Sequence, residues 1–249
     1  MGLQHGPATI LPILLIQSVA NPFMLESSFS MAHCALILAS GSPRRKELLG
    51  LFDIPFVVQP ADIDESQKPG EIPTEYVQRL AREKGMKVAQ TSQLPVLSAD
   101  TIVEFEGQLL GKPDDLQDAE RILRLLRGRT HRVFTAIFLV DPSNNTNLER
   151  LVESDVLMRD YSETELQTYL DSANWHDKAG GYAIQDPDFN PCESYTGSYT
   201  NIMGLPVEAL MPMLVEAGFT LRENLPEYIE DALGSNYTQF AKAINENIA

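Results

Sequence analysis

The chain has 249 residues, of which 43% are hydrophobic and 22% charged, with a mean hydropathy of −0.15; these values suit an ordinary globular chain and exclude the disordered and membrane-spanning classes. A formal charge of −16 argues against an extended polyanionic partner such as nucleic acid. The charge is uneven: residues 1–140 carry 14 basic and 16 acidic side chains, residues 141–249 carry 5 and 19, so an anion site belongs to the first part.

Residues 8–20, ATILPILLIQSVA, look like the middle of a signal peptide, which makes secretion one reading. Against it, no Lys or Arg precedes Arg44, and Pro12 and Gln17 interrupt any membrane-spanning run. Residues 1–34 are therefore expected to be a leader outside the fold. The apolar run 35–39 predicts a buried strand, followed by a tight loop and a helix with Ser42 as N-cap and Pro43 at its first position. Strands are predicted at 55–59, 95–105, 131–140 and 149–159, the last two joined as a hairpin by PSNNTN. Helices are predicted at 74–90, at 115–127 with Asp114 as cap and Gly128 as stop, at 162–172 behind a Ser162/Glu165 capping box, and at 206–217. The pattern gives an α/β fold with a mixed twisted sheet flanked by helices. Residues 219–249 read as an acidic helical C-terminal extension.

Cys34 and Cys192 are too few for a disulfide framework and read as free thiols of a reducing compartment. His5, His33, His131 and His176 fall in no zinc-ligand spacing, so any metal would be a hard, oxygen-bound ion.

Four segments carry chemistry. In SGSPRR at 40–45, hydroxyls and unsatisfied N–H groups meet the positive end of a helix dipole, where an anion is favoured. Arg44 and Arg45 oppose that dipole unless a phosphate-like ligand sits there, although solvated arginines behind an ordinary N-cap explain the pattern equally well. In the 74–90 helix, at about 100° per residue, Lys84 falls inside the stripe of Val77, Leu80, Ala81 and Val88, so it either snorkels or meets an anion, while Arg79 and Arg82 read as solvated. In SADTIVEFEGQLLGKP at 98–113, Asp100 lies where a strand would carry a carboxylate toward a cleft, with Thr101 beside it, and Lys112 returns after a turn. This is no P-loop: three residues, not four, separate Gly107 from Gly111, and Pro113 replaces the hydroxyl residue. In DKAGGYAIQ at 177–185, the glycines permit close approach of a flat ligand and Gln185 offers a donor and an acceptor to a nucleobase edge, though plain turn chemistry would also produce it.

Taken in order, LASGSPRRKELL, LAREK, SADTIV, GKP, DKAGGYAIQ and GLP resemble the Maf family of nucleoside triphosphate pyrophosphatases over residues 35–218. The resemblance implies an elongated mixed sheet with two lobes around a deep cleft, in a cytoplasmic, often homodimeric enzyme. It also implies hydrolysis of a nucleoside triphosphate to the monophosphate and pyrophosphate with Mg²⁺ or Mn²⁺. Carried over by position, Asp100 is the proton acceptor, Ser40, Arg45, Lys84 and Lys112 bind phosphate, and Glu65, with Asp64 as the neighbouring choice, helps Asp100 hold the metal. Arg44, Thr101 and Gln185 match the dTTP/UTP subclass, whereas the 7-methyl-GTP subclass would show Trp, Gln and Glu. Asp186-Pro187-Asp188 departs from the family's glycine-rich turn. A nucleotide-sensing regulator of division or cell shape is the competing expectation.

Overall fold

A computed structural model describes residues 35–186 and 188–234. The expected leader at 1–34, Cys34 within it and residues 235–249 of the extension lie outside the described residues. In chain order the elements are β1 (Leu36–Leu38), α1 (Pro43–Gly50), β2 (Phe56–Val58), α2 (Pro73–Ala89), β3 (Val96–Phe105), β4 (Gln108–Leu110), α3 (Leu116–Leu126), β5 (Thr130–Asp141), β6 (Thr146–Met158), α4 (Glu163–Asp171), β7 (Cys192–Thr196), α5 (Tyr199–Met203), α6 (Val207–Glu216) and α7 (Leu225–Leu233). The strands form one mixed sheet, β2-β1-β3-β5-β6-β7, with β4 added to β3. β1 runs parallel to β2 and β3; the other pairs are antiparallel, and β5 and β6 form the expected hairpin.

Strand alternation splits the core between the two faces of the sheet. Leu97, Ala99, Val103 and Phe105 of β3 enter the larger core with α1, α3, α4 and α6, while Val96 and Ile102 enter the smaller core under Val77, Ala81 and Val88 of α2. The extension starts inside the larger core: Leu225 and Ile229 of α7 are buried there, and Arg222 pairs with Asp53 at 2.9 Å.

Three local readings change. Asp115, not Asp114, caps α3, accepting from the Asp118 N–H at 2.8 Å. Ser42 occupies the N-cap of α1 but its hydroxyl makes no capping bond; its N–H donates to Ser40 Oγ at 3.3 Å. The short elements β4, β7 and α5 lie in segments whose composition reads as turn or loop, too brief to show a hydrophobic period.

Candidate active site

On one side β3 is paired with β5 from Val96 to Glu104. On its other side β1 covers only Val96 and Leu97, and β4 only Val103 to Phe105. Ser98 to Ile102 therefore have no strand neighbour on that side, and a cavity of about 730 Å³ lies beside the split. Ser40, Arg44, Arg45, Glu65, Lys84, Asp100, Thr101, Lys112 and Gln185 all line it. Segments more than 140 positions apart in sequence are thus brought to one place by the sheet.

Alternation sends Asp100 and Thr101 to opposite faces of β3. On the α2 face, Lys84 Nζ lies 2.6 Å from Asp100 Oδ1 and 2.9 Å from Glu65 Oε1. Lys84 is 9% exposed and Asp100 7%, so the lysine meets carboxylates on the buried stripe instead of snorkelling. Gly85 permits this: a Cβ there would sit 2.7 Å from the Phe138 ring and from Ser98 Oγ, so α2 can press onto the sheet only with glycine. Ser98 Oγ closes the contact by donating to the Ala81 carbonyl at 2.6 Å. Burial pushes the Asp100 carboxyl above its ordinary range, against the lowering by Lys84 and Arg45.

Glu65 sits in the long irregular connection between β2 and α2. Arg79, expected to be solvated, is instead only 12% exposed and clamps that connection with a forked pair to Glu71 and a bond to the Ser66 carbonyl at 3.0 Å. Tyr76 Oη adds a bond to the Glu65 carbonyl at 2.8 Å. Arg82 reaches Glu149 at 2.7 Å and is half exposed, as a surface residue should be. Asp64 is not part of the cavity lining and accepts from the Ser66 N–H at 2.9 Å.

On the opposite face the partners are neutral. Arg45 donates from Nε to the Gly204 carbonyl (2.8 Å), from Nη1 to Ser40 Oγ (3.0 Å) and from Nη2 to Thr101 Oγ1 (3.0 Å). Arg44 donates from Nε to the Met203 carbonyl at 3.4 Å. Gly204 ends α5 in the left-handed region at φ 108°, which turns these carbonyls toward α1. Among the described residues neither arginine, nor Lys112, forms an ion pair, and burial lowers both guanidinium pKa values. Half-buried guanidiniums without an ion-pair partner favour an incoming anion, because the ligand restores what desolvation removed.

Also in the cavity lining, Gln185 Oε1 is buried without a hydrogen-bond partner, an acceptor open to a ligand N–H. The departing segment behind it is occupied with its own turn: Asp186 Oδ1 accepts from the N–H groups of Asp188 and Phe189, and Phe189 stacks on Tyr169 at 4.1 Å between ring centres.

Glu65 and Asp100 present oxygens to one point, now bridged by an ammonium. Two carboxylates completed by phosphate oxygens are a common protein share for a hard divalent ion, so the residues fit one. Among the described residues no cluster of three or more His, Cys, Asp or Glu exists, so an all-protein metal cage is absent there.

A cavity of this size, lined both by cations without an ion pair and by a free amide oxygen, suits a small, highly charged anion that also carries a hydrogen-bonding group. The family model for Maf-like protein matches residues 35–217, and the chain belongs to that family. It is 46% identical over 191 residues to a dTTP/UTP pyrophosphatase of Thermomicrobium roseum, covering 74% of this chain and 84% of that protein. It is 44% identical over 188 residues to a dTTP/UTP pyrophosphatase of Roseobacter denitrificans, covering 74% and 97%. Among solved structures, a HAM1 protein from Coxiella burnetii is similar at 19% identity with a TM-score of 0.37, over 51% of this chain and 74% of that one. No helix among the described residues is long and apolar enough to cross a membrane.

The strands and helices that carry Asp100 and Lys84 were legible in sequence, as were the arginines. Thr135 and Asn201, both fully buried behind Thr101, were not, because a threonine within an apolar strand and an asparagine in a helix as short as α5 carry no periodic signal.

Proposed function

We propose that the chain is a nucleoside triphosphate pyrophosphatase acting on dTTP and UTP. Arg45, Lys84, Lys112 and Ser40 hold the phosphates, and Asp100 accepts a proton from water as the water oxygen bonds to the α-phosphorus. The bond from that phosphorus to the bridging oxygen breaks, and pyrophosphate leaves with the monophosphate remaining. Phosphoryl-type transfer depends chiefly on positioning and on neutralising phosphate charge, which is what the cations here offer. Burial of Asp100 supports its role, since a raised carboxyl is a better proton acceptor than an ordinary one. Glu65 and Asp100 would hold Mg²⁺ or Mn²⁺, which when bound neutralises phosphate oxygens. Gln185 and Arg44 face the base end of the substrate. The carrying observation is the set Arg44, Arg45 and Lys112, without carboxylate partners, in the same cavity as the Lys84-bridged carboxylates.

The test is pyrophosphate release from a panel of nucleoside triphosphates, with and without Mg²⁺ or Mn²⁺. Metal-dependent release, fastest from dTTP and UTP, is expected. Tight triphosphate binding without release would favour a sensor.

A further inference from the structure

The proton positions on the face of β3 opposite α2 can be assigned from donor chemistry alone. Thr135 stands directly across from Thr101 in the β3–β5 register, with Oγ1 atoms 2.9 Å apart. Thr135 Oγ1 also lies 2.9 Å from the Asn201 carbonyl oxygen, which can only accept. Its single proton goes there, so toward Thr101 it can only accept. Thr101 must then donate to Thr135, and its oxygen accepts from Arg45 Nη2, which can only donate. One direction satisfies every group: Arg45 to Thr101, Thr101 to Thr135, Thr135 to the Asn201 carbonyl.

The far end of this chain is rigid. Asn201 donates from Nδ2 to the Val133 carbonyl at 3.0 Å and to Ser154 Oγ at 2.9 Å, and its own N–H is held by Ser198 Oγ at 2.9 Å. Thr135 and Asn201 are both 0% exposed, so bulk solvent does not reach these bonds.

From this geometry we infer that Thr135 is a positioning residue for the proposed reaction: it draws the Thr101 proton away from the cavity, so that Thr101 shows Arg45 only an acceptor and fixes the guanidinium for the triphosphate. Thr101, on this assignment, acts through Arg45 and does not donate to substrate. Without Thr135, the Thr101 hydroxyl loses the acceptor that fixes its proton, and one of the three protein anchors of the fork that grips the phosphates loses its fixed orientation. Arg45 meets the phosphates in the ground state and the transition state alike, so the loss falls on KM and leaves kcat nearly unchanged.

The inference rests on the pyrophosphatase reading, and the experiment separates the two. Steady-state pyrophosphate release from dTTP is measured for wild type, Thr135→Val, Thr135→Ser, Thr101→Val and the double variant, with melting curves for each. Expected for Thr135→Val is a KM raised about tenfold with kcat within about twofold, for Thr135→Ser near-normal values, and for the double variant no further loss beyond Thr101→Val, because one residue acts through the other. An unchanged KM in Thr135→Val, equal damage in Thr135→Ser, or an undiminished effect of Thr135→Val in the Thr101→Val background would each overturn it. If the valine variant melts below the assay temperature, Thr135→Cys keeps the volume with a weaker donor, and its KM should fall between those of the serine variant and Thr101→Val; a wild-type KM there also overturns the assignment. If wild type releases no pyrophosphate from any triphosphate, the functional reading fails instead. Calorimetry with inorganic tripolyphosphate then decides the inference: about tenfold weaker binding to Thr135→Val supports it, and equal binding overturns it.

Discussion

On the α2 face of β3, Asp100 is held by the ammonium of Lys84, which also holds Glu65. One residue further along, on the other face, Thr101 belongs to a chain of hydroxyls and carbonyls around Arg45, without an ion pair. The difference separates two tasks. Charge meeting charge can exchange partners, so Lys84 can pass from carboxylate to phosphate without leaving a bare ion in the interior. A guanidinium fixed by neutral acceptors keeps its geometry and its full attraction for an anion. One strand thus serves a responsive half and a rigid half of a single site.

The largest effects are expected on the charged face. Asp100→Asn keeps the shape but removes the proton acceptor, and turnover should fall ~10²–10⁴-fold with the chain still folded; near-normal turnover would remove Asp100 from its assigned role. In wild type the acid limb of kcat/KM should lie above the ordinary carboxylate range, since burial raises Asp100, with activity lost as pH falls through the raised value.

The neutral face can be probed through His131, which lies on the same side of β5 as Thr135 and has its Nε2 2.6 Å from Tyr182 Oη. Burial pushes its pKa down to about 4. Above the unfolded value of about 6.5 both states are neutral; as pH falls below it the unfolded chain takes up a proton that the folded chain refuses. Stability should therefore decline from pH ~6.5 to ~4 by about 3 kcal/mol from this residue. Urea midpoints across that range should show the decline in wild type and a shallower one in His131→Gln, and parallel curves would mean that this face accepts charge after all.

The smallest expected effect concerns the clamp on the Glu65 segment. Arg79→Gln should leave triphosphate binding without metal intact and raise the divalent-ion concentration needed for half-maximal activity by about tenfold, in the range seen when residues behind a metal ligand are lost. An unchanged Mn²⁺ titration would show that Glu65 is held without Arg79 or takes no part with the metal.

Much of this is readable in the amino-acid sequence. Apolar runs, helical stripes and cap or turn residues place β1, α1, α2, β3 and the β5–β6 hairpin within a few residues. Lys84 stands out because a cation inside an apolar stripe either snorkels or meets an anion, and here it meets Asp100. Arg79 was misjudged for the complementary reason: a charged residue on the outer helical face looks solvated unless a loop folds back over it, and Glu71 does so from a segment without periodicity.

By itself the sequence determined the charge distribution, the elements that carry Asp100, Lys84 and the arginines, and the family, since all of these depend on local composition and spacing. Only the tertiary structure decided which partner each cation meets. Strand alternation sends neighbouring residues to opposite faces, and the glycines at 85 and 204 set how closely α2 and α5 approach the sheet and α1. Whether a positive group ends beside a carboxylate or a carbonyl is a matter of a few ångströms between segments far apart in the chain, and no local pattern encodes that distance.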